Sequence, residues 1–148
     1  MKDKYVISSP VTESEFEAYF ALRWEVLRKP WGQPQGSEKD EQENQATQLM
    51  AVDEKGGICG VCRLDSIDQS TAQIRYMAVK PSLHGQGIGR DLLLQAERNA
   101  KEKGFQRIFL QSREKACGFY ERQGYHTIEK TFLLFNKIQH FSMEKSLF

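Results

Sequence analysis

The segment Leu83-His84-Gly85-Gln86-Gly87-Ile88-Gly89-Arg90 sets glycines at alternate positions just ahead of an amphipathic helical pattern. Glycines carry no side chain that would keep an anion away, and the start of a helix carries partial positive charge. The loop residues Gly85, Gln86, Gly87, Ile88 and Gly89, with the Arg90 guanidinium beside them, are therefore candidate phosphate ligands. Further along, Phe119-Tyr120 precedes Gly124-Tyr125. A phenol has an ordinary pKa of about 10, so Tyr120 can donate a proton at neutral pH.

Two nucleotide-binding patterns are excluded. A Walker loop ends in Gly-Lys-Ser/Thr, whereas Gly89 is followed by Arg90-Asp91. A dinucleotide fingerprint starting at Gly85 and Gly87 would need glycine where Arg90 stands. For the glycine cluster standing alone, a plain tight turn into a helix is an equal alternative.

The elements around these residues can be read from patterning. Tyr5 opens a short strand, and Thr12-Glu13-Ser14-Glu15 is a capping box with Val11 and Phe16 placed as a hydrophobic staple. The helix should run to about Lys29, stopped by Pro30, with its apolar residues packed on two sides. Residues 31–46 read as a loop beside the active face or as a solvated connector, and both readings stand. Strands over 48–53, 58–64 and 71–80 follow in meander order with hairpin chemistry between them. Ile88, Leu92, Leu93, Ala96 and Ala100 mark one helical face, ended by Gly104. A strand over 105–111, a helix over about 113–123, and closing strands over 125–132 and 138–146 complete the chain. The strand-helix-strand unit over 71–111 predicts a parallel crossover.

Composition sets outer bounds. The 148 residues suit one domain, 1–148, and the net charge of +1 gives no reason to expect a nucleic-acid surface. No apolar run approaches the roughly 18 residues that span a bilayer. Met1-Lys2-Asp3-Lys4 leads into the first strand with no signal-peptide core, so the cytoplasm is the expected compartment. The chain has three cysteines. Cys59 and Cys62 lie three apart in a strand, which should turn them to opposite faces, and no second Cys or His pair completes a zinc site. No metal is expected.

The stretch from Met77-Ala78-Val79-Lys80-Pro81 through the glycine loop to Leu93 resembles the acetyl-CoA signature of the GNAT N-acyltransferase superfamily. Cys117-Gly118-Phe119-Tyr120-Glu121-Arg122-Gln123-Gly124-Tyr125 resembles its second motif. The resemblance extends over most of the chain, strongest over 74–125. Residues 16–28 and 138–145 are similar to a small bacterial branch of the superfamily. It implies a mixed α/β fold whose central sheet, mostly antiparallel, is splayed at the CoA-binding strands and flanked by helices. It also implies acetyl transfer from acetyl-CoA to a primary amine of a small molecule or peptide, by direct attack in a ternary complex. Met77, Ala78 and Val79 would bind the pantetheine chain through main-chain groups, a nearby amide would face the oxyanion, and Ser112 would line the opposite wall. Tyr120 would protonate the departing thiolate, with Phe119 in the core and Tyr120 facing the cleft.

The sequence departs from the family pattern at two places. His84 stands where the loop usually has Arg or Gln; a protonated imidazole would help hold an anion, and a neutral loop histidine is the other reading. Gln73 stands where some members place a glutamate base. Glu25, His126, His140 and a water relay remain open as bases. The apolar Phe132-Leu133-Leu134-Phe135 turn fits an acceptor pocket, a homodimer interface or core equally well. A CoA-binding sensor without turnover is the main alternative function, and a phosphate-binding interaction domain unrelated to CoA is a third.

Overall fold

The computed structural model describes residues 4–148, so Met1, Lys2 and Asp3 of the expected leaderless start lie outside it. The strands are β1 (Tyr5–Ser8), β2 (Thr47–Asp53), β3 (Ile58–Ser66), β4 (Thr71–Val79), β5 (Arg107–Arg113), β6 (His126–Leu134) and β7 (Ile138–Ser146). The helices are α1 (Glu13–Leu27), α2 (Ile88–Glu102) and α3 (Cys117–Arg122). All strands join one seven-stranded sheet in the order β1-β2-β3-β4-β5-β7-β6. Only β4 and β5 run parallel, as the crossover through α2 requires. Among the described residues, no helix is long and apolar enough to cross a membrane.

Side-chain alternation divides the core between the two faces of the sheet. Leu49, Ala51, Cys62, Leu64, Ala72 and Ile74 meet Ile88, Leu92, Leu93 and Ala96 of α2 and Tyr120 of α3. Met50, Val61 and Ala78 meet Tyr19 and Leu22 of α1 on the other face. The α1 capping box forms: Glu15 N donates to Thr12 Oγ1 at 3.1 Å, and Thr12 N donates to Glu15 Oε1 at 3.0 Å. Val11, expected in a staple, is 80% exposed instead. A Cβ on Gly60 would lie 2.8 Å from Ile88 Cγ2 and 2.9 Å from Leu92 Cδ1, so the absence of a side chain there lets α2 sit close to β3.

Three further expectations need correction. Cys59 and Cys62 join the same core cluster rather than opposite faces. The reason is a bulge: Ala51 pairs with Gly60 but Val52 with Ile58, so Cys59 is an extra residue and the alternation slips there. The strand expected over 105–111 begins at Arg107 and runs through Arg113. The helix expected from 113 is a 3₁₀ turn, Glu114–Ala116, leading into the short α3.

Candidate active site

Parallel pairing between β4 and β5 covers Thr71–Ile74 against Arg107–Leu110 and then ceases. Beyond Ile74, β4 stays with β3, while β5 stays with β7 as far as Arg113. The arms diverge around a cleft of about 780 Å³. Met77, Ala78, Val79, His84, Gly85, Gly87, Ile88, Gly89, Arg90, Ser112 and Tyr120 all line it. Of the residues expected to bind the cofactor, Gln86 alone does not: its Oε1 is buried without a hydrogen-bond partner.

The glycine loop has the backbone its sequence suggested. Gly85 and Gly87 adopt φ of 84° and 89°, left-handed values that favour glycine. Gly87 is the N-cap of α2 and supplies no side-chain cap, so the first helical amides lack an internal acceptor. Gly89 fits closely, since a Cβ there would lie 3.4 Å from Phe119 Cζ. His84 does not point its Nε2 at the loop centre: that atom lies 3.0 Å from the Val79 carbonyl oxygen at the end of β4.

A second bulge lies in β4. Arg63 pairs with Arg75 but Val61 with Ala78, so Tyr76 and Met77 together oppose Cys62. Tyr76 takes φ of 55°, a strained value for a bulky residue. The facing of β4 changes there: Ala72 and Ile74 share a cluster with Met77 and Val79, while Ala78 joins the other. The bulge re-aims the main chain beside the cleft. Its signal in the sequence is the phase slip from Ala72 and Ile74 to Met77 and Val79.

An ionic network lies behind Tyr76. The side chain of Arg63, fully buried, donates to both carboxylate oxygens of Asp40 and Asp65 and to Glu43, at 2.7–2.8 Å. Arg23, also buried, donates to Glu43 Oε2 at 2.8 Å and lies 4.3 Å from the centre of the Tyr76 ring. Arg63 holds the Asp40 carboxyl well below the ordinary carboxylate range. The 32–46 loop is thereby tied to the sheet, which decides against the solvated-connector reading.

The phenol of Tyr120 lies deeper than expected. The residue is 7% exposed, and its ring meets Phe119 and Tyr125 edge-on at 5.0 and 5.8 Å. Both Phe119 and Tyr120 line the cleft and both pack on the core, because α3 is short and is wedged against the start of α2. Burial pushes the Tyr120 pKa upward. Of the residues considered as bases, Glu25 is exposed and away from the cleft, and His126 faces Glu144 at 3.4 Å. His140 lines the cleft. Its Nδ1 lies 3.0 Å from the Ile138 carbonyl oxygen, and its ring stacks on Phe132 at 4.4 Å. Burial, helped by the charges of Arg113 and Arg28 and opposed by the hydrogen bond to Ile138, lowers its pKa. Gln73 also lines the cleft, as do Phe132 and Leu134 of the apolar turn.

The family model described as acetyltransferase (GNAT) matches residues 16–125. An uncharacterized N-acetyltransferase of Chlorobaculum tepidum is 35% identical over 84 residues, covering 57% of this chain and 53% of the relative. The chain therefore spans about half the length of that relative. A structure described as an N-acetyltransferase of Lactobacillus plantarum superposes with a TM-score of 0.84 at 22% identity, covering 100% of both chains. An aminoglycoside 6'-N-acetyltransferase complexed with coenzyme A superposes with a TM-score of 0.81 at 16% identity, covering 97% of each chain. These two likenesses establish a shared fold, and the family match extends it to sequence. The chain belongs to the acetyltransferase (GNAT) family.

Proposed function

We propose that the protein is an acyl-CoA-dependent N-acyltransferase that moves an acetyl group from acetyl-CoA to a primary amine by direct attack. One observation carries this reading: a single cleft joins the uncapped start of α2 to the buried Tyr120 phenol. Gly85 and Gly87, with positive φ, leave the loop amides open to a pyrophosphate, and Arg90 adds charge. The diverging β4 arm offers Met77, Ala78 and Val79 main-chain groups to an extended pantetheine chain, as an added strand would use them. The bulge at Tyr76 and Met77 leaves main-chain groups outside the ladder beside the cleft, where an amide can face a developing oxyanion.

The chemistry balances with the side chains at hand. The amine nitrogen forms a bond to the thioester carbonyl carbon, and the carbon–sulfur bond breaks. The proton lost by the amine goes to His140 Nε2, which is the free acceptor when Nδ1–H donates to Ile138. The leaving sulfur takes the proton of Tyr120, whose raised pKa keeps the phenol protonated. The products are an amide and free CoA thiol. A CoA sensor without turnover is the second reading, favoured by the amide of Gln73 in place of a carboxylate. Thiol release from acetyl-CoA with a panel of amines, measured beside CoA binding, separates the two readings. Binding without release would support the sensor, and absence of binding would remove both.

A further inference from the structure

We infer that the acceptor amine carries an anionic group, a carboxylate or a phosphate, which the arginines at the outer end of the cleft receive. This rests on the acetyl-transfer reading and names its substrate class. Six cationic side chains line the cleft, Arg28, Arg75, Arg90, Arg113, Lys115 and Arg122, and among the described lining residues there is no aspartate or glutamate. Arg90 belongs to the glycine loop and is accounted for by the donor's phosphates. Arg28 lies 5.6 Å from the Phe135 ring, and Arg113 pairs with His140, which stacks on Phe132, so both stand beside the apolar turn.

Arg28 is the centre of this group. It is half-buried, and its side-chain donors meet only main-chain carbonyls, of Ser37 at 3.2 Å and Leu27 at 3.1 Å. Among the described residues neither Arg28 nor Arg113 has an ion-pair partner, and Arg75 reaches only Asp40, at 3.2 Å. Asp40 is already engaged by Arg63 on both oxygens. The guanidiniums of Arg28 and Arg75 flank the Tyr76 ring at 5.6 and 5.1 Å. Arg113 of β5 pairs with His140 of β7, and Arg28, just past the end of α1, lines the same cleft. Burial and the neighbouring Arg23 and Arg75 lower the Arg28 pKa, with Tyr76 and Glu38 opposing. A half-buried cation among like charges is costly without a counter-charge, and guanidinium geometry suits carboxylate and phosphate oxygens. The same field repels polycations.

The test compares matched amines as acceptors: 4-aminobutyrate against 4-aminobutyramide, phosphoethanolamine against ethanolamine, and spermidine as a polycation. The expected result is a kcat/KM at least about tenfold higher for one or both anionic members than for the neutral partner, the worth of one charge-assisted bond. Which pair shows it distinguishes carboxylate from phosphate. Titration of the same amines into the CoA-loaded protein should give the same order of affinity. In Arg28→Ala the anionic-to-neutral ratio should fall toward one, and Arg28→Lys should keep part of it. Acetylation with a ratio near one, or a preference for spermidine, overturns the anion subsite and leaves acetyl transfer standing. Failure to release thiol with every amine overturns both. Should Arg28→Ala not fold, the wild-type ratios alone decide.

Discussion

Ile74 and Leu110 are the last paired residues of β4 and β5, and the cleft opens where that pairing ends, with Ile74 in its wall. Met77, Ala78, Val79 and Ser112 stand on the arms that diverge from this pair. Tyr120 lies in the same core cluster as both residues, so its phenol is held by the packing that closes the apex.

Changing Tyr120 to Phe removes the proposed proton donor and keeps the ring. Turnover should fall by about 100-fold, the low end of general-acid contributions. The dissociation constant for CoA should move less than about threefold, since no loop group is touched. Steady-state thiol release beside a CoA titration reads both numbers. A rate within about twofold of the parent would remove Tyr120 from the chemistry.

As the proposed base, His140 gives the pH profile a predictable sign. A base works only when deprotonated, so activity falls as pH drops through its pKa. Burial and the charges of Arg113 and Arg28 lower that pKa from its usual value. The acid limb of kcat/KM should therefore lie below the ordinary histidine midpoint of about 6.5, and His140→Gln should abolish it. An acid limb above that midpoint, or one that survives the substitution, would assign the base elsewhere.

The network around Arg63 makes a stability prediction. Replacing Arg63 with Met leaves Asp40, Asp65 and Glu43 crowded without their shared cation. The cost should be about 3 kcal/mol, in the range for breaking a buried pair. Hydrogen exchange over 32–46 should accelerate more than elsewhere, because Arg63 ties this loop to β3. The Asp40 pKa is depressed in the folded state, so its contribution is fully present above the unfolded value of about 4 and is lost as pH falls toward the folded one. Asp40→Asn should flatten the acid side of the stability curve.

Gly60→Ala is expected to destabilise by about 1–3 kcal/mol through overpacking, because the new Cβ meets Ile88 and Leu92 at the start of α2. The same substitution should weaken CoA binding by displacing the glycine loop. Thermal denaturation and a CoA titration would show the two losses together. Parent-like values for both would mean that the contact is slack.

The legible parts of the molecule were those with local signals. The α1 capping box, the α2 apolar stripe and the glycine turns depend on neighbours in the chain, and the structure has them where their residues stand. The phase slips at Cys59 and Tyr76 are set by pairing across strands, which alternation within one strand does not report. Arg23 and Arg63 look like exposed strand or helix cations in isolation; their carboxylate partners come from Asp40, Glu43 and Asp65. His140 could not be preferred over His126 until the order β5-β7-β6 set it opposite Arg113 at the open end of the cleft.

The most direct measurement uses acetyl-CoA labelled with carbon-13 in the acetyl group, incubated with the protein and the amine panel, with products read by mass spectrometry. Acyl transfer requires a labelled amide to appear in step with one equivalent of free thiol, and to be strongly reduced with Tyr120→Phe. Tight CoA binding with no labelled amide from any amine would contradict the account and leave a binding module in its place.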